Sequence, residues 1–142
     1  MKEIGILNRE ISDVITRIGH MDEICICDAG FPMPLNVRDI DISLKDNKPG
    51  LIEVLQEILK YFSVEKVIIA NKTKDVSPTM FNNIVKLFNE KVKVEIIYHL
   101  ELKKRSKDVK AIIRTGEFTA YSNVILVSGV NESRWTIENP KK

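Results

Sequence analysis

An α/β fold with a mainly parallel sheet flanked by helices on both faces, a Rossmann-like three-layer arrangement in a single domain, is predicted by three features of the sequence. Segments of helical spacing alternate with short extended runs for most of the length, which is the order that lays helices on the faces of a parallel sheet. Ile24-Cys25-Ile26-Cys27 is apolar throughout and bracketed by Gly19-His20 and Asp28-Ala29-Gly30, as expected of a strand buried on both faces. At 142 residues, 44% of them hydrophobic, the chain is long enough to bury one continuous core without staples.

Asn8 is placed to cap a helix whose inner stripe is Ile11, Val14, Ile15 and Ile18, and Gly19 suits a left-handed closing residue. The apolar strand follows. Gly30-Phe31-Pro32-Met33-Pro34 is a loop, because its two prolines fix φ and remove amide donors. Such a stiffened loop after a strand end is either a crevice wall or a rigid connector. Residues Arg38 to Leu44 alternate polar and apolar, and read as a short half-buried strand or an extended segment.

Lys48-Pro49-Gly50 breaks the chain. Leu51, Val54, Leu55, Ile58, Leu59 and Phe62 then trace one face of a second helix. Val64 to Ala70 is a second buried strand, ending at Asn71-Lys72-Thr73. Ser77-Pro78 reads as an N-cap and first-turn pair for a helix with Phe81, Ile84, Val85 and Phe88 on its inner side. Val92, Val94 and Ile96 alternate into a third strand that finishes at Tyr98-His99. Leu100 to Lys107 gives one or two lysine-rich helical turns, Val109 to Arg114 a fourth strand, and Val124 to Val127 a last apolar strand. Residues 1–130 form the predicted domain. The remainder, Asn131 to Lys142, is polar apart from Trp135 and Ile137, and reads as a C-terminal extension.

The charge pattern excludes some functions. With 22 basic and 20 acidic side chains interspersed, no basic stripe for nucleic acid is visible. No apolar run approaches the roughly 18 residues of a membrane span, and the N-terminus lacks a signal-peptide layout. A cytosolic protein with reduced Cys25 and Cys27 is expected, the two thiols serving as small hydrophobes on one face of their strand. Neither common Gly-rich phosphate cradle is present, so no nucleotide cofactor is expected. A zinc set of His20, Cys25, Cys27 and His99 is arithmetically available, but its cysteines lie inside an apolar run. A Cys27–His20 nucleophilic pair would need an exposed thiolate.

What remains is a group of polar residues at strand ends: Asp28, His99, Tyr121 and Asn123, with His20 just ahead of the first strand. Singly, each has a structural alternative. His20 would favour a helix dipole, Asp28 would cap a turn, Tyr121 would be a core aromatic with a satisfied hydroxyl, and Asn123 would stabilise a turn. Together they offer the mixed donors and acceptors that a hydroxyl-rich ligand needs, and open α/β sheets bind ligands at the C-terminal ends of strands.

Several segments in order along the chain carry a resemblance. Gly19-His20-Met21-Asp22, Asp28-Ala29-Gly30-Phe31-Pro32-Met33-Pro34, His99-Leu100-Glu101-Leu102-Lys103, Ile113-Arg114-Thr115-Gly116-Glu117, Tyr121-Ser122-Asn123 and Ser128-Gly129-Val130 resemble the D-ribose pyranase family. The match runs from residue 4 to residue 130. The sister family of L-fucose mutarotases shares the Gly-His-x-Asp and Gly-Glu…Tyr-x-Asn elements, whereas Asp-Ala-Gly with the two prolines and His-x-Glu-Leu-Lys favour the ribose branch.

The resemblance implies an isomerase that interconverts pyranose and furanose forms of D-ribose and feeds furanose to ribokinase. It implies a cofactor-free, metal-free cytoplasmic homo-oligomer, often a decamer of two stacked rings, with sites at subunit interfaces. By position, His20 becomes the catalytic acid/base, and Asp28, His99, Lys103, Tyr121 and Asn123 become sugar-binding residues. Asp28 is left with two roles, orienting the imidazole or binding sugar. Two departures stand out: Ala120 replaces a proline that commonly precedes the tyrosine, implying a less rigid loop, and the chain continues past the usual terminus. An L-fucose-type mutarotase and a non-catalytic sugar-binding or regulatory module are the competing readings.

Overall fold

Asn8 caps the first helix as its position predicts: its Oδ1 accepts the N–H groups of Glu10 and Ile11 at 3.0 and 2.9 Å, and α1 runs Arg9–Arg17. In the computed structural model, which describes residues 1–130, there follow β1 (Glu23–Cys27), β2 (Asp39–Asp41), α2 (Leu51–Ile58), β3 (Val64–Ala70) and α3 (Asn71–Val76). The order is completed by α4 (Pro78–Val85), β4 (Lys93–Ile97), α5 (His99–Arg105), β5 (Ala111–Arg114) and β6 (Val124–Ser128). The proposed extension at 131–142, with Trp135 and Ile137, lies outside the described residues.

The six strands form one sheet in the order β2-β5-β1-β6-β3-β4. The pairs β2–β5, β5–β1 and β3–β4 are parallel, and the mostly parallel sheet of the sequence reading is present. β6 is the exception: it runs antiparallel to both β1 and β3. The reason lies in its connection. β5 and β6 are joined by residues 115–123 with no helix between them, so the chain has no crossover to carry it back to the starting edge. That loop instead passes over the C-terminal end of β1, the strand that separates β5 from β6.

Alternation of side chains divides the core into two. On one face Ile24, Ile26, Val67, Ile69, Ile113 and Leu126 meet α1, α2 and α4 through Ile11, Val14, Leu51, Leu55 and Ile84. On the other, Cys25, Cys27, Ile68, Ile112 and Ile125 are covered by Leu102 of α5 and by Phe31 of the proline loop. Cys25 and Cys27 are wholly buried, and burial pushes both thiols far up. They are inert hydrophobes, which dismisses the Cys27 nucleophile and removes the sulfur ligands from the zinc set.

Three local expectations are corrected. The left-handed residue after α1 is Met21 (φ 69°), not Gly19; the chain leaves the helix through an extended Ile18, and the Gly19 N–H donates to Asp22 Oδ2 at 2.8 Å. Asn71 to Val76 is helical, although only Thr73 of it is buried and no apolar stripe announces it. Pro78 opens α4 as expected, but Ser77 does not cap it: its Oγ donates to the Ala120 carbonyl at 2.7 Å.

Candidate functional site

The loop that crosses the end of β1 builds a cavity of about 630 Å³ at the C-terminal edge of the sheet. It is anchored by Thr115, whose backbone N–H and Oγ1 both donate to the Cys27 carbonyl, and by the Ala29 N–H, which donates to the Glu117 carbonyl at 2.9 Å. Gly116 is required at the crossing. A Cβ there would lie 2.5 Å from the Lys45 carbonyl oxygen and 2.6 Å from that of Lys48. Glu117 is itself buried, and its Oε1 accepts the first N–H of α2, from Leu51, at 3.0 Å.

Asp28 stands at the end of β1 on the cavity wall. Its Oδ1 accepts the Gly30 N–H and its Oδ2 the Ser122 N–H, while its own N–H donates to Asn123 Oδ1 at 2.9 Å. Burial raises the carboxyl above its usual range; the N–H groups of Gly30 and Ser122 and the Asn123 amide oppose the rise, and Glu117 adds to it. A carboxylate has about four acceptor positions. Two are used by the backbone, which leaves the others for ligand hydroxyls.

Opposite, His99 opens α5 where β4 ends, and Lys103 lies one turn further along the same helix. The His99 N–H donates to Asn71 Oδ1, and its ring meets Tyr121 edge to face, with centroids 4.9 Å apart. Burial, then the charges of Lys103 and Lys72, hold the imidazole below its ordinary pKa, so it is neutral near pH 7. His99 Nδ1 is buried with no partner among the described residues, an unmet demand at the cavity wall.

Tyr121 adopts a left-handed backbone (φ 59°), which costs a residue with a Cβ on the order of 1–3 kcal/mol. Two hydroxyls hold it there: Thr73 Oγ1 donates to the Tyr121 carbonyl at 2.6 Å, and Ser77 Oγ to the preceding carbonyl of Ala120. The α3–α4 corner thereby fixes the loop that lacks a proline at Ala120.

Asp28, His99, Lys103, Tyr121 and Asn123 thus come together on one cavity. His20 does not join them. It precedes β1 while Asp28 follows it, and at roughly 3.3 Å per residue the five-residue strand alone keeps them about 15 Å apart. Within the chain, then, Asp28 does not orient His20. The imidazole is exposed at the opposite edge of the sheet, with Nε2 2.9 Å from Glu65 Oε2. The zinc set is scattered in the same way, with its histidines on opposite edges.

Sequence reasoning did not single out Arg114, Glu117 or Ser122. Arg114 lines the cavity and donates through Nε and Nη2 to the Ala29 carbonyl and through Nη1 to Asp41 and Ser43. A guanidinium closing an otherwise apolar strand was the available signal. Nothing in the sequence marked Glu117 as a helix cap that accepts from Leu51, 66 residues away along the chain.

A cavity of this size, lined by the carboxylates of Asp28 and Glu117, a neutral imidazole, an amide, a phenol, an ammonium and a guanidinium at the strand ends of a mostly parallel sheet, defines a site for a small polyhydroxylated ligand. The model of the RbsD / FucU transport protein family matches residues 1–131, and the chain belongs to that family. A protein of Streptococcus uberis named D-ribose pyranase is 44% identical over 130 residues, 92% of this chain and 98% of the relative. One of Clostridium tetani with the same name is 46% identical over the same shares. Among solved structures, Bacillus subtilis RbsD complexed with D-ribose superposes with a TM-score of 0.87 at 42% identity, covering 92% of this chain and 98% of that one. Fucose mutarotase of Streptococcus pneumoniae in complex with L-fucose shares the fold, with a TM-score of 0.69 at 23% identity over 92% of this chain and 99% of that one.

Proposed function

We propose that this chain is a D-ribose pyranase, interconverting the pyranose and furanose forms of ribose and supplying furanose to a ribokinase. The observation that carries the reading is the ring of Asp28, His99, Lys103, Tyr121 and Asn123 around one cavity, in a chain 42% identical to an RbsD solved with D-ribose. Identities of 44–46% to proteins named D-ribose pyranase favour ribose over fucose as substrate.

In this reading the protein works in the cytosol as a homo-oligomer, a decamer of two stacked rings. His20 of one subunit reaches the cavity of the next. The need for a second subunit follows from the opposite placement of His20 and Asp28 on the sheet, since no motion within the folded domain brings them together.

The chemistry requires only proton transfer. The imidazole of His20 takes the proton of the anomeric hydroxyl as the bond from C1 to the ring oxygen breaks, and the imidazolium returns that proton to the released oxygen. The open-chain aldehyde is then attacked by the other hydroxyl, whose proton passes through the same imidazole to the carbonyl oxygen. General acid–base catalysis is worth on the order of 10²–10⁴-fold, which suits a reaction that already proceeds slowly in water. Asp28 and Asn123 accept from and donate to the hydroxyls, Tyr121 and His99 bound the ring, and Lys103 adds a donor at the rim.

Magnetisation-exchange NMR tests the reading directly. Catalytic amounts of protein are expected to speed pyranose–furanose exchange of D-ribose more than ring exchange of L-fucose, and His20→Ala to abolish most of the gain. Ribose binding by calorimetry without faster exchange would instead identify a sugar-binding module. Sedimentation reports the oligomer.

A further inference from the structure

The fold spends several unusual features on one exposed spot, the place where His20 meets Glu65. Glu65 stands at the only register slip between β3 and β6: Val64 pairs with Ser128 and Lys66 with Val127, so Glu65 is the extra residue of a bulge. Bulges of this kind re-aim a side chain out of the ladder. Just past the end of the neighbouring strand Gly129 is needed, because a Cβ there would stand 2.8 Å from Glu65 Cβ and 3.0 Å from its backbone nitrogen.

The histidine side is equally constrained. Met21 is left-handed, its N–H donates to the Ser128 carbonyl at 2.8 Å, and the Ser128 N–H donates back to the Asp22 carbonyl. Asp22 Oδ2 in turn accepts the Gly19 N–H. The turn carrying His20 is thereby stitched to the end of β6, and β6 to the bulge carrying Glu65. Packing explains none of this: His20 and Glu65 are about half exposed, with side-chain exposures of 51% and 40%.

We infer that Glu65 is a positioning residue for His20, holding the imidazole in one tautomer with Nδ1 turned toward the substrate. The inference rests on the proton-shuttle role proposed above. At 2.9 Å a carboxylate oxygen only accepts, so Nε2 carries a proton, and in the neutral form of the ring the lone pair lies on Nδ1. The one side-chain hydrogen bond of His20 among the described residues is that of Nε2, which leaves Nδ1 open. Nδ1 takes the sugar proton while Nε2–H stays on the glutamate, and the imidazolium formed in mid-reaction is faced by a negative charge. This is the orienting arrangement of a carboxylate–histidine pair, with the sugar hydroxyl in the third place. Asp28, for which the sequence left open both orienting the imidazole and binding sugar, remains free to bind sugar.

The experiment combines exchange rates at saturating D-ribose, ribose affinity by calorimetry, and long-range ¹H–¹⁵N spectra of the imidazole. Glu65→Ala is expected to slow exchange by at least about tenfold, short of the ~10⁴-fold cost of neutralising a buried triad carboxylate because this pair is solvated. Its ribose affinity is expected to stay within twofold of the parent, which also reports a folded cavity. Glu65→Gln, which still accepts from Nε2–H without the charge, should fall between. Gly129→Ala, which displaces Glu65 without altering either the glutamate or the histidine chemically, should slow exchange in the same sense. The double variant His20→Ala/Glu65→Ala should be no slower than His20→Ala. The parent spectrum should show the Nε2–H tautomer, and Glu65→Ala a mixture. Full exchange activity in Glu65→Ala, with His20→Ala inactive, overturns the inference and leaves the pyranase reading intact. Parent protein that binds ribose without speeding exchange overturns both.

Discussion

The backbone N–H of Asp28 donates to Asn123 Oδ1 at 2.9 Å, across 95 residues of chain, and so ties the end of β1 to the start of β6. The bond does two jobs. It satisfies a partly buried donor, and it sets the position of the Asp28 carboxylate relative to Tyr121. Asn123→Ala leaves that N–H without an acceptor, at a cost of about 1–3 kcal/mol. Urea unfolding should show the loss of stability, and calorimetry a parallel loss of ribose affinity.

Asp28 gives stability a pH signature. Its folded pKa is raised above the usual 3.8, so the folded state holds the proton more tightly than the unfolded one. The contribution is fully present below 3.8 and is lost as pH rises through the folded value. Urea midpoints measured across the acid range should therefore decline over that window relative to Asp28→Asn, which has no proton to lose.

His99 titrates in the opposite sense. Burial, with Lys103 and Lys72 beside it, lowers its pKa from 6.5, so its contribution to stability is present above 6.5 and lost as pH falls through the lower folded value. Lys103→Met removes one of the two charges. An NMR titration of the His99 ring should move upward in the variant, and ribose affinity should weaken with the lost donor.

Arg114 fastens the Ala29 carbonyl with two donors while bonding Asp41 and Ser43 with a third nitrogen. Lysine cannot reproduce that fork. Arg114→Lys should keep the fold, since the strand pairing is unchanged, yet loosen the turn from Asp28 to Gly30 and weaken ribose binding several-fold by calorimetry.

Gly116→Ala tests the loop crossing. The added methyl meets two backbone carbonyl oxygens at 2.5 and 2.6 Å, and neither is the end of a flexible side chain. A loss of about 1–3 kcal/mol is expected on the scale of overpacked sites, read as a lower urea midpoint.

Where the sequence was legible, periodicity and punctuation carried the information. Four consecutive apolar residues at 24–27 announced β1, and the Ile11/Val14 spacing with Asn8 announced α1 and its cap. The polar strand-end residues were legible too, because a carboxylate, an imidazole and an amide beside apolar strands have little to do in a core. Direction was not. Nothing in Val124 to Val127 distinguishes a parallel from an antiparallel strand, since both faces are buried either way; only the missing helix between β5 and β6 held that information. The separation of His20 from Asp28 was hidden for a related reason. Eight positions apart looks close in a sequence, but the strand between them spans the sheet. Glu65 was illegible because its role depends on a register slip that only the pairing of β3 with β6 reveals.

The insertion of β6 between β1 and β3 also governs how this protein can be made. As the chain emerges from the ribosome, the strands on either side of the gap are synthesised long before the piece that bridges them, and until residues 124–128 arrive the two half-sheets present bare, unpaired edges. Productive folding therefore waits for that strand, and shortened chains ending before it should be prime clients for chaperones and proteases.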